Sequence, residues 1–222
     1  MHIIFCLLAG YLIGNLNPAY LLGRARGVDV RKDGSGNAGA SNAFILVGAK
    51  AFVFSAVIDI LKAFFAWHLC SAIFPDAQTA GPLGGVGCII GHMYPVVLRF
   101  QGGRGLASLG GVVLAWSWRW FLVLLGLAIL IALITRYVCT VAPAISILFP
   151  AIYYVQTGLL LCTLILLIPA LPIFLKHLTN FRRILNGTEM RISFLWNKEE
   201  ELKRLGRWNP ETRSQLEQRN KG

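Results

Sequence analysis

The sequence predicts an all-α membrane protein with seven transmembrane helices, and three features of the chain predict it. The 222 residues are 56% hydrophobic and only 14% charged, whereas a soluble domain is about 45–50% apolar and about 25% charged. The apolar residues gather in runs, and crossing a bilayer takes about 20 residues. Polar segments rich in glycine and in Lys or Arg separate several of these runs.

The spans are expected to follow one another through short connections. The first, over about 3–23, is expected to be a retained helix, because neither a charged leader nor an Ala-x-Ala-like cleavage site accompanies it. The other six are expected over 51–74, over 82–98, in a run that ends near 116, over 121–135, and in runs that end near 155 and 175.

Basic residues predict the orientation of the chain. Five lie in 24–50, two in 99–104, one at 136 and eleven from 176 onward, whereas the opposite side has only Arg119. Because cytoplasmic loops carry an excess of Lys and Arg, the N-terminus is expected outside and the C-terminus in the cytoplasm. The same bias explains the net charge of +11 without nucleic-acid binding.

The five cysteines all lie in apolar segments, in odd number and without paired spacing. They are interpreted as reduced packing residues, and neither a disulfide framework nor a metal site is expected.

The polar stretch 33–42 between the first two spans is the first candidate for chemistry. Gly34, Gly36 and Gly39 allow positive φ, which lets several N–H groups point to one place and suits a phosphate. Four short side chains in the stretch add hydrogen-bonding groups: Ser35, Asn37, Ser41 and Asn42. The alternative is a flexible loop between membrane helices.

A second candidate segment follows the third span. His92 lies near the cytoplasmic end of that span and is available as a proton carrier or a donor. Arg104 lies among Gly102, Gly103 and Gly105, as a cation on a mobile, closely approaching backbone that suits phosphate recognition. A structural histidine and a positive-inside anchor are the alternatives.

A third candidate segment, residues 177–189, follows the last span. The side chains expected to complete an anion site assembled from three loops are those of His177, Asn180, Arg182, Arg183 and Glu189, and a basic stop-transfer flank is the alternative.

Two charged residues lie inside the second span. Asp59 and Lys62 are three residues apart and so share a helix face. Charges within a bilayer normally face the bundle interior, which favours a structural ion pair. An orientation of Lys62 toward a phosphate site is the alternative.

These motifs together resemble the PlsY family, the integral-membrane acyl-phosphate:glycerol-3-phosphate acyltransferases of bacteria. The likeness covers nearly residues 1–192 and includes 14–23, 34–42, 59–62, 91–108 and 177–189, in order and at the family's spacing. It implies seven spans in the bacterial inner membrane, with the site facing the cytoplasm. Residues 193–222 are expected to form a charged cytoplasmic tail, longer than usual for the family.

The resemblance implies that acyl phosphate donates its acyl chain to the sn-1 hydroxyl of glycerol 3-phosphate. The products are lysophosphatidic acid and phosphate, and no metal or organic cofactor is implied. Catalytic roles are expected for Ser35, His92, Arg104, His177, Asn180 and Glu189. Phosphate or substrate contacts are expected for Gly34, Gly36, Asn37, Gly39, Asn42, Lys62, Gly102, Gly103, Gly105 and Arg183.

The chain departs from the family pattern at several positions. Arg104 stands where the family usually has Lys, Ile45 where it usually has Arg, and Cys139 where it tends to have Ser. Leu178 stands where Arg is common. Two further functions therefore stay open: a divergent paralogue that acts on another phosphorylated acceptor, and a non-catalytic membrane protein or transporter that binds phospho-ligands.

Overall fold

The computed structural model describes residues 1–195 and 197–205, and all regular structure within them is helical. The α-helices are α1 His2–Gly14, α2 Pro18–Ala25, α3 Ala40–Leu46, α4 Ala49–Ile73, α5 Ala80–Met93, α6 Leu106–Trp116, α7 Trp118–Thr135, α8 Val141–Thr157, α9 Leu160–Leu167, α10 Ala170–Leu185 and α11 Lys198–Arg204. Three short 3-10 turns occupy Val96–Leu98, Val138–Thr140 and Ile192–Leu195.

Five helical segments are long and apolar enough to cross a membrane: His2–Ala25, Ala80–Leu98, Trp118–Thr135, Val138–Thr157 and Leu160–Leu185. They correspond to the first, third, fifth, sixth and seventh predicted spans. The second predicted span is α4, which has 25 residues but carries three charges. The fourth is α6, whose 11 residues extend only about 16 Å. The multi-pass, all-helical architecture is confirmed, with five rather than seven described segments that combine the required length and hydropathy.

The first span is broken between α1 and α2. The ring of Pro18 fixes φ and supplies no N–H, which suits the first position of a helix. Asn17 caps α2 by accepting the N–H of Tyr20 at 2.8 Å. The break therefore begins a second helix whose C-terminal end leads into the Gly-rich loop.

Helices α1 and α5 pack at very short distance through small residues. A Cβ added to Gly10 or Gly14 on α1, or to Gly87 or Gly91 on α5, would overlap the backbone of the other helix. Close backbone approach through glycine is the usual way in which membrane helices gain packing. Helix α5 is buried along nearly its whole length and forms the centre of the bundle.

The described part of the C-terminal tail packs against the preceding loop. Arg204 donates to the carbonyls of Gly187 at 2.7 Å and Glu189 at 2.6 Å. Glu201 is buried and accepts the N–H of Arg191 at 2.7 Å. Helix α11 is therefore anchored to that loop through Glu201 and Arg204, and residues 206–222 lie outside the described residues.

Candidate active site

The Gly-rich loop after α2 is built around Asn42. This side chain is completely buried, and its oxygen accepts the N–H of Ser35 at 2.8 Å. Its amide nitrogen donates to the carbonyls of Val30 at 2.8 Å and Asp33 at 3.0 Å. Gly36 also donates its N–H within the loop, to the Asp33 carbonyl at 3.1 Å. Asn42, predicted as a phosphate contact, is thus the scaffold of the loop, and two of the expected N–H donors are used inside it.

Glycine is required at two positions of this loop. Gly34 and Gly36 have φ values of 64° and 70°, in the left-handed region that other residues rarely adopt. A Cβ on Gly34 would also overlap the Asn42 side-chain oxygen. At the other end, Asn17 donates to the carbonyl of Ala38 at 2.8 Å and ties the loop to α2.

The second Gly-rich segment, residues 99–105, is fastened to the end of α5. Gly102 and Gly103 donate their N–H groups to α5 carbonyls at 3.2 and 3.1 Å. Lys176 on α10 donates to the carbonyl of Gly103 at 3.1 Å. A Cβ on Gly102 or Gly103 would overlap the backbone or the ring of His92. These two glycines therefore allow close packing, and the segment is held in place rather than mobile as the sequence predicted.

Three neighbouring cavities share Arg104 as a lining residue. Their volumes are about 210, 190 and 400 Å³. The first, called the Glu189 cavity, is lined among others by Ser35, Ile45, Arg183, Glu189 and Phe194. The second, called the His177 cavity, is lined among others by Asn37, Phe52, Asp59, His92 and His177. The third, called the basic cavity, is lined among others by Arg31, Ser35, Asn37, Lys176 and Arg183.

The structure brings most of the predicted site residues to these cavities. Lining residues are Gly34, Ser35, Gly36, Asn37, Gly39, His92, Gly102, Arg104, Gly105, His177, Arg183 and Glu189. Four predicted site residues are absent from the three linings: Asn42, Lys62, Gly103 and Asn180. Segments far apart in sequence thus converge on one place, with Arg104 at its centre.

Asn180 contacts a neighbouring side chain and is absent from the linings of these three cavities. It is fully buried on α10 and donates to a carboxylate oxygen of Glu189 at 2.7 Å. Glu189 lines the first cavity, so its orientation there depends on Asn180. The observed partner of Asn180 is thus Glu189, and its catalytic role stays a prediction.

The ammonium group of Lys62 has all its described partners inside the helix bundle. Its ammonium lies 2.6 Å from the carboxylate of Asp59 and donates to the carbonyls of Gly14 at 3.2 Å and Leu16 at 2.6 Å. The side chain is almost fully buried. Its donors are directed to Asp59 and to the break between α1 and α2, as expected of the structural ion pair, and the phosphate contact of Lys62 stays a prediction.

His177 is held by its own helix. Its Nδ1 lies 2.7 Å from the carbonyl oxygen of Ile173, one turn earlier on α10. A carbonyl can only accept, so Nδ1 carries the proton and Nε2 is the acceptor in the neutral ring. The buried imidazole is thereby oriented beside the His177 cavity.

Opposing effects act on the Arg104 guanidinium. Burial lowers its pKa, the Glu189 carboxylate raises it, and the nearby Arg183 lowers it again. Because a guanidinium keeps its proton throughout the ordinary pH range, Arg104 remains a cation. A partly desolvated cation interacts strongly with a phosphate that enters any of the three cavities.

The basic cavity contains cations that were not predicted as site residues. Arg31 lies beside Asp29, with a nitrogen–oxygen distance of 2.8 Å, and this hydrogen bond lowers the pKa of Asp29 to about 2. Lys176 was counted only as a tail charge, although it directly precedes His177. That adjacency to a predicted site residue was the signal that could have identified it. Phe194, which lines the Glu189 cavity, has no comparable signal in the sequence.

The fold and the site together define a multi-pass membrane protein with clustered cations around adjoining cavities. The model of the family described as glycerol-3-phosphate acyltransferase matches residues 4–187. The chain therefore belongs to the glycerol-3-phosphate acyltransferase family, and the resemblance of its motifs to the PlsY family is confirmed.

Individual relatives agree with this assignment. The glycerol-3-phosphate acyltransferase of Geobacillus kaustophilus is 36% identical over 190 residues, which cover 85% of this chain and 95% of the relative. That of Brucella canis is 36% identical over 191 residues, which cover 86% and 93%.

Solved structures agree as well. The crystal structure of PlsY, an integral membrane glycerol 3-phosphate acyltransferase, in its glycerol 3-phosphate form is similar with a TM-score of 0.80 at 30% identity. The match covers 87% of this chain and 96% of that one. The lysophosphatidic acid form gives a TM-score of 0.77 at 29% identity.

Proposed function

We propose that this protein transfers a fatty acyl group from acyl phosphate to the sn-1 hydroxyl of glycerol 3-phosphate. The products are lysophosphatidic acid and inorganic phosphate, at the start of phospholipid synthesis. The single observation that carries the proposal is that Arg104 belongs to the walls of three adjoining cavities, two of which also contain Ser35 and Arg183. Two phosphate-bearing substrates need such a shared group of cations.

The reaction is balanced without a protein nucleophile. The acceptor oxygen forms a bond to the acyl carbon, and the bond from that carbon to the phosphate oxygen breaks. The hydroxyl proton leaves with the released phosphate, for which a substrate phosphate can act as base. Because acyl phosphate is already an activated anhydride, positioning and charge stabilisation are the main contributions required of the protein.

The geometry suggests a distribution of roles. Arg104 and Arg183 hold phosphate, and Ser35 orients a substrate by hydrogen bonding. His177, with Nε2 as acceptor, orients or relays a proton, and Glu189 balances the charge of the arginines. No metal or organic cofactor is part of the proposal.

The topology remains part of the proposal. We propose that α4 and α6 complete seven crossings, and that the site faces the cytoplasm from the inner membrane of a bacterium. The 25 residues of α4 are long enough to cross, and its buried charges face the bundle. Residues 1–192 then form the acyltransferase domain and 193–222 the tail.

One feature favours a different phosphorylated acceptor as the second candidate function. The Glu189 cavity has apolar side chains, Ile45, Met190 and Phe194, close to its arginines. Such a wall favours an acceptor with a larger apolar part than glycerol.

One assay separates the candidates. Purified protein is mixed with acyl phosphate and a panel of phosphorylated acceptors, and phosphate release and acylated product are measured. Turnover with glycerol 3-phosphate and with no other acceptor of the panel supports the proposal. Turnover with another acceptor supports the second candidate. Complete inactivity with a folded protein would favour a non-catalytic binder or transporter of phospho-ligands.

Two variants test the assigned roles. Arg104→Ala and Ser35→Ala are expected to lose most turnover while inserting into the membrane normally. Arg26→Ala, which changes an exposed cation outside the three cavities, serves as the control. A purified Arg104→Ala protein with the wild-type rate would contradict the assignment.

A further inference from the structure

A buried charge cluster, defined as Asp59, Lys62 and His92, lies beside the site and has no part in the proposed chemistry. The Asp59 carboxylate is 2.6 Å from Lys62 Nζ and 3.2 Å from His92 Nδ1. Lys62 Nζ is also 3.0 Å from His92 Nδ1. All three side chains are 2–3% exposed. Ionisable groups inside a membrane protein are costly and often mark function.

The Lys62 ammonium has a structural task. The carbonyls of Gly14 and Leu16 lie where α1 ends and α2 has not begun, so they lack helical partners. Lys62 donates to both of them. A buried cation in turn requires an anion, which Asp59 supplies.

Asp59 and His92 extend from this structural pair toward the site. Both line the His177 cavity together with Arg104. The ring of His92 lies directly against Gly103. A Cβ added to Gly103 would therefore overlap this ring. The carbonyl of His92 accepts the N–H of Gly103 at 3.1 Å. His92 therefore contacts the residue next to Arg104 through both its ring and its backbone.

We propose that Asp59 is a positioning residue. It holds the imidazole of His92, and the imidazole in turn sets the position of Gly103. The position of Gly103 then orients the Arg104 side chain toward the three cavities. The kinetic part of this inference rests on the proposed function. Displacement of a phosphate-binding group by about 1 Å costs roughly 100-fold in rate, so a buried carboxylate that does not itself hold the phosphate can control turnover.

A double-mutant cycle between Asp59 and Arg104 tests the inference. Asp59→Asn keeps the size of the side chain and is expected to lower kcat by about 10- to 100-fold. In an Arg104→Ala background, the same change is expected to alter the rate by less than about 2-fold, because the cation to be aimed is absent. Equal effects of Asp59→Asn in the two backgrounds would overturn the inference.

A second cycle needs no turnover. The same four proteins are titrated with inorganic phosphate, and the loss of affinity caused by Asp59→Asn is expected only when Arg104 is present. A wild-type protein that binds phosphate but does not turn over would contradict the proposed function, whereas the positioning role would still be decided by this cycle. If Asp59→Asn lowers the affinity for inorganic phosphate equally with and without Arg104, the positioning role is overturned.

One further variant separates positioning from charge balance. Asp59→Asn combined with Lys62→Gln removes both charges and keeps donors for the carbonyls of Gly14 and Leu16. Recovery of wild-type kcat in this double variant would show that Asp59 only balances Lys62. Continued low kcat supports the positioning role.

Gly103→Ala perturbs the same contact from the other side without changing a charge. The new Cβ would displace the His92 ring, so a loss of kcat similar to that of Asp59→Asn is expected. This variant also keeps the test decisive if Asp59→Asn does not fold. Ser55→Ala, a buried change one turn before Asp59 on α4, is the control and should keep the wild-type rate.

Discussion

Asn180 on α10 donates its side-chain N–H to the carboxylate of Glu189 at 2.7 Å, across the end of that helix. Asn180 is fully buried, and Glu189 is 9% exposed. The pair therefore joins the last long helix to the loop that carries the wall of the Glu189 cavity. It also links a residue outside the three cavity linings to a residue that lines one of them.

Asn180→Ala is expected to lower the free energy of unfolding by about 1–3 kcal/mol, because a buried carboxylate loses its donor. Thermal unfolding in detergent measures the change. Asn186→Ala, at the exposed end of α10, is the control and should stay within about 0.5 kcal/mol of wild type. Equal stability of the two variants would contradict the assigned role of the Asn180–Glu189 pair.

Asn42→Ala is expected to disorder the Gly-rich loop. It removes one acceptor from Ser35 and two donors from the loop carbonyls, which costs about 2 kcal/mol or more. Hydrogen exchange of the amides in residues 33–39 should accelerate, and turnover should fall with it. The exposed Lys32→Ala variant should change neither, and unchanged exchange in Asn42→Ala would show that the loop does not depend on this side chain.

The sequence predicted the helical membrane fold well because hydropathy is a local property. The first, third, fifth, sixth and seventh predicted spans coincide with segments of sufficient length and apolarity. The last helix was predicted to end near 175, whereas α10 continues to Leu185. The part of α10 after residue 175 is amphipathic, so its mean hydropathy is lower than that of a membrane span. This part nevertheless carries His177 and Asn180.

The candidate site was predicted only in part, since its side-chain partners are distant in sequence. Lys176 donates to the carbonyl of Gly103, 73 residues away, and so holds the second Gly-rich segment. No local sequence pattern predicts such a contact. A short polar side chain in a Gly-rich loop suits a ligand and a backbone carbonyl equally well. Asn42 was predicted to contact phosphate, and the contacts that the structure shows for it are with the loop backbone.

The docking of α11 is expected to depend on pH through Glu201. Burial raises the pKa of Glu201, but hydrogen bonds from Arg204 and from the Arg191 N–H outweigh this effect, so the pKa is lowered overall. A carboxylate whose folded pKa is below its unfolded value stabilises the docked state above the unfolded pKa. That stabilisation is lost as the pH falls through the folded pKa.

Hydrogen exchange of residues 187–193, corrected for its intrinsic pH dependence, measures this docking. Protection in the wild type should decrease as the pH drops below the ordinary range of a glutamate, about 4.3. Glu201→Gln should show weaker protection at neutral pH and lose most of the pH dependence. Glu200→Gln, a change on the exposed side of α11, should behave as wild type, and a matching loss in this control would exclude Glu201 as the titrating group.

Gly91→Ala tests the contact between α1 and α5. The added methyl group would overlap the backbone carbonyl of Tyr11, and neither helix can move without disturbing the centre of the bundle. Overpacking of this kind costs about 1–3 kcal/mol. Gly126→Ala on α7 is the matched control, because a Cβ there meets nothing within 4 Å. This control should be neutral or more stable by about 0.5–1 kcal/mol, since alanine favours a helix. Unfolding of both variants in the same detergent compares them directly, and a Gly91→Ala protein as stable as Gly126→Ala would contradict the close packing of the two helices.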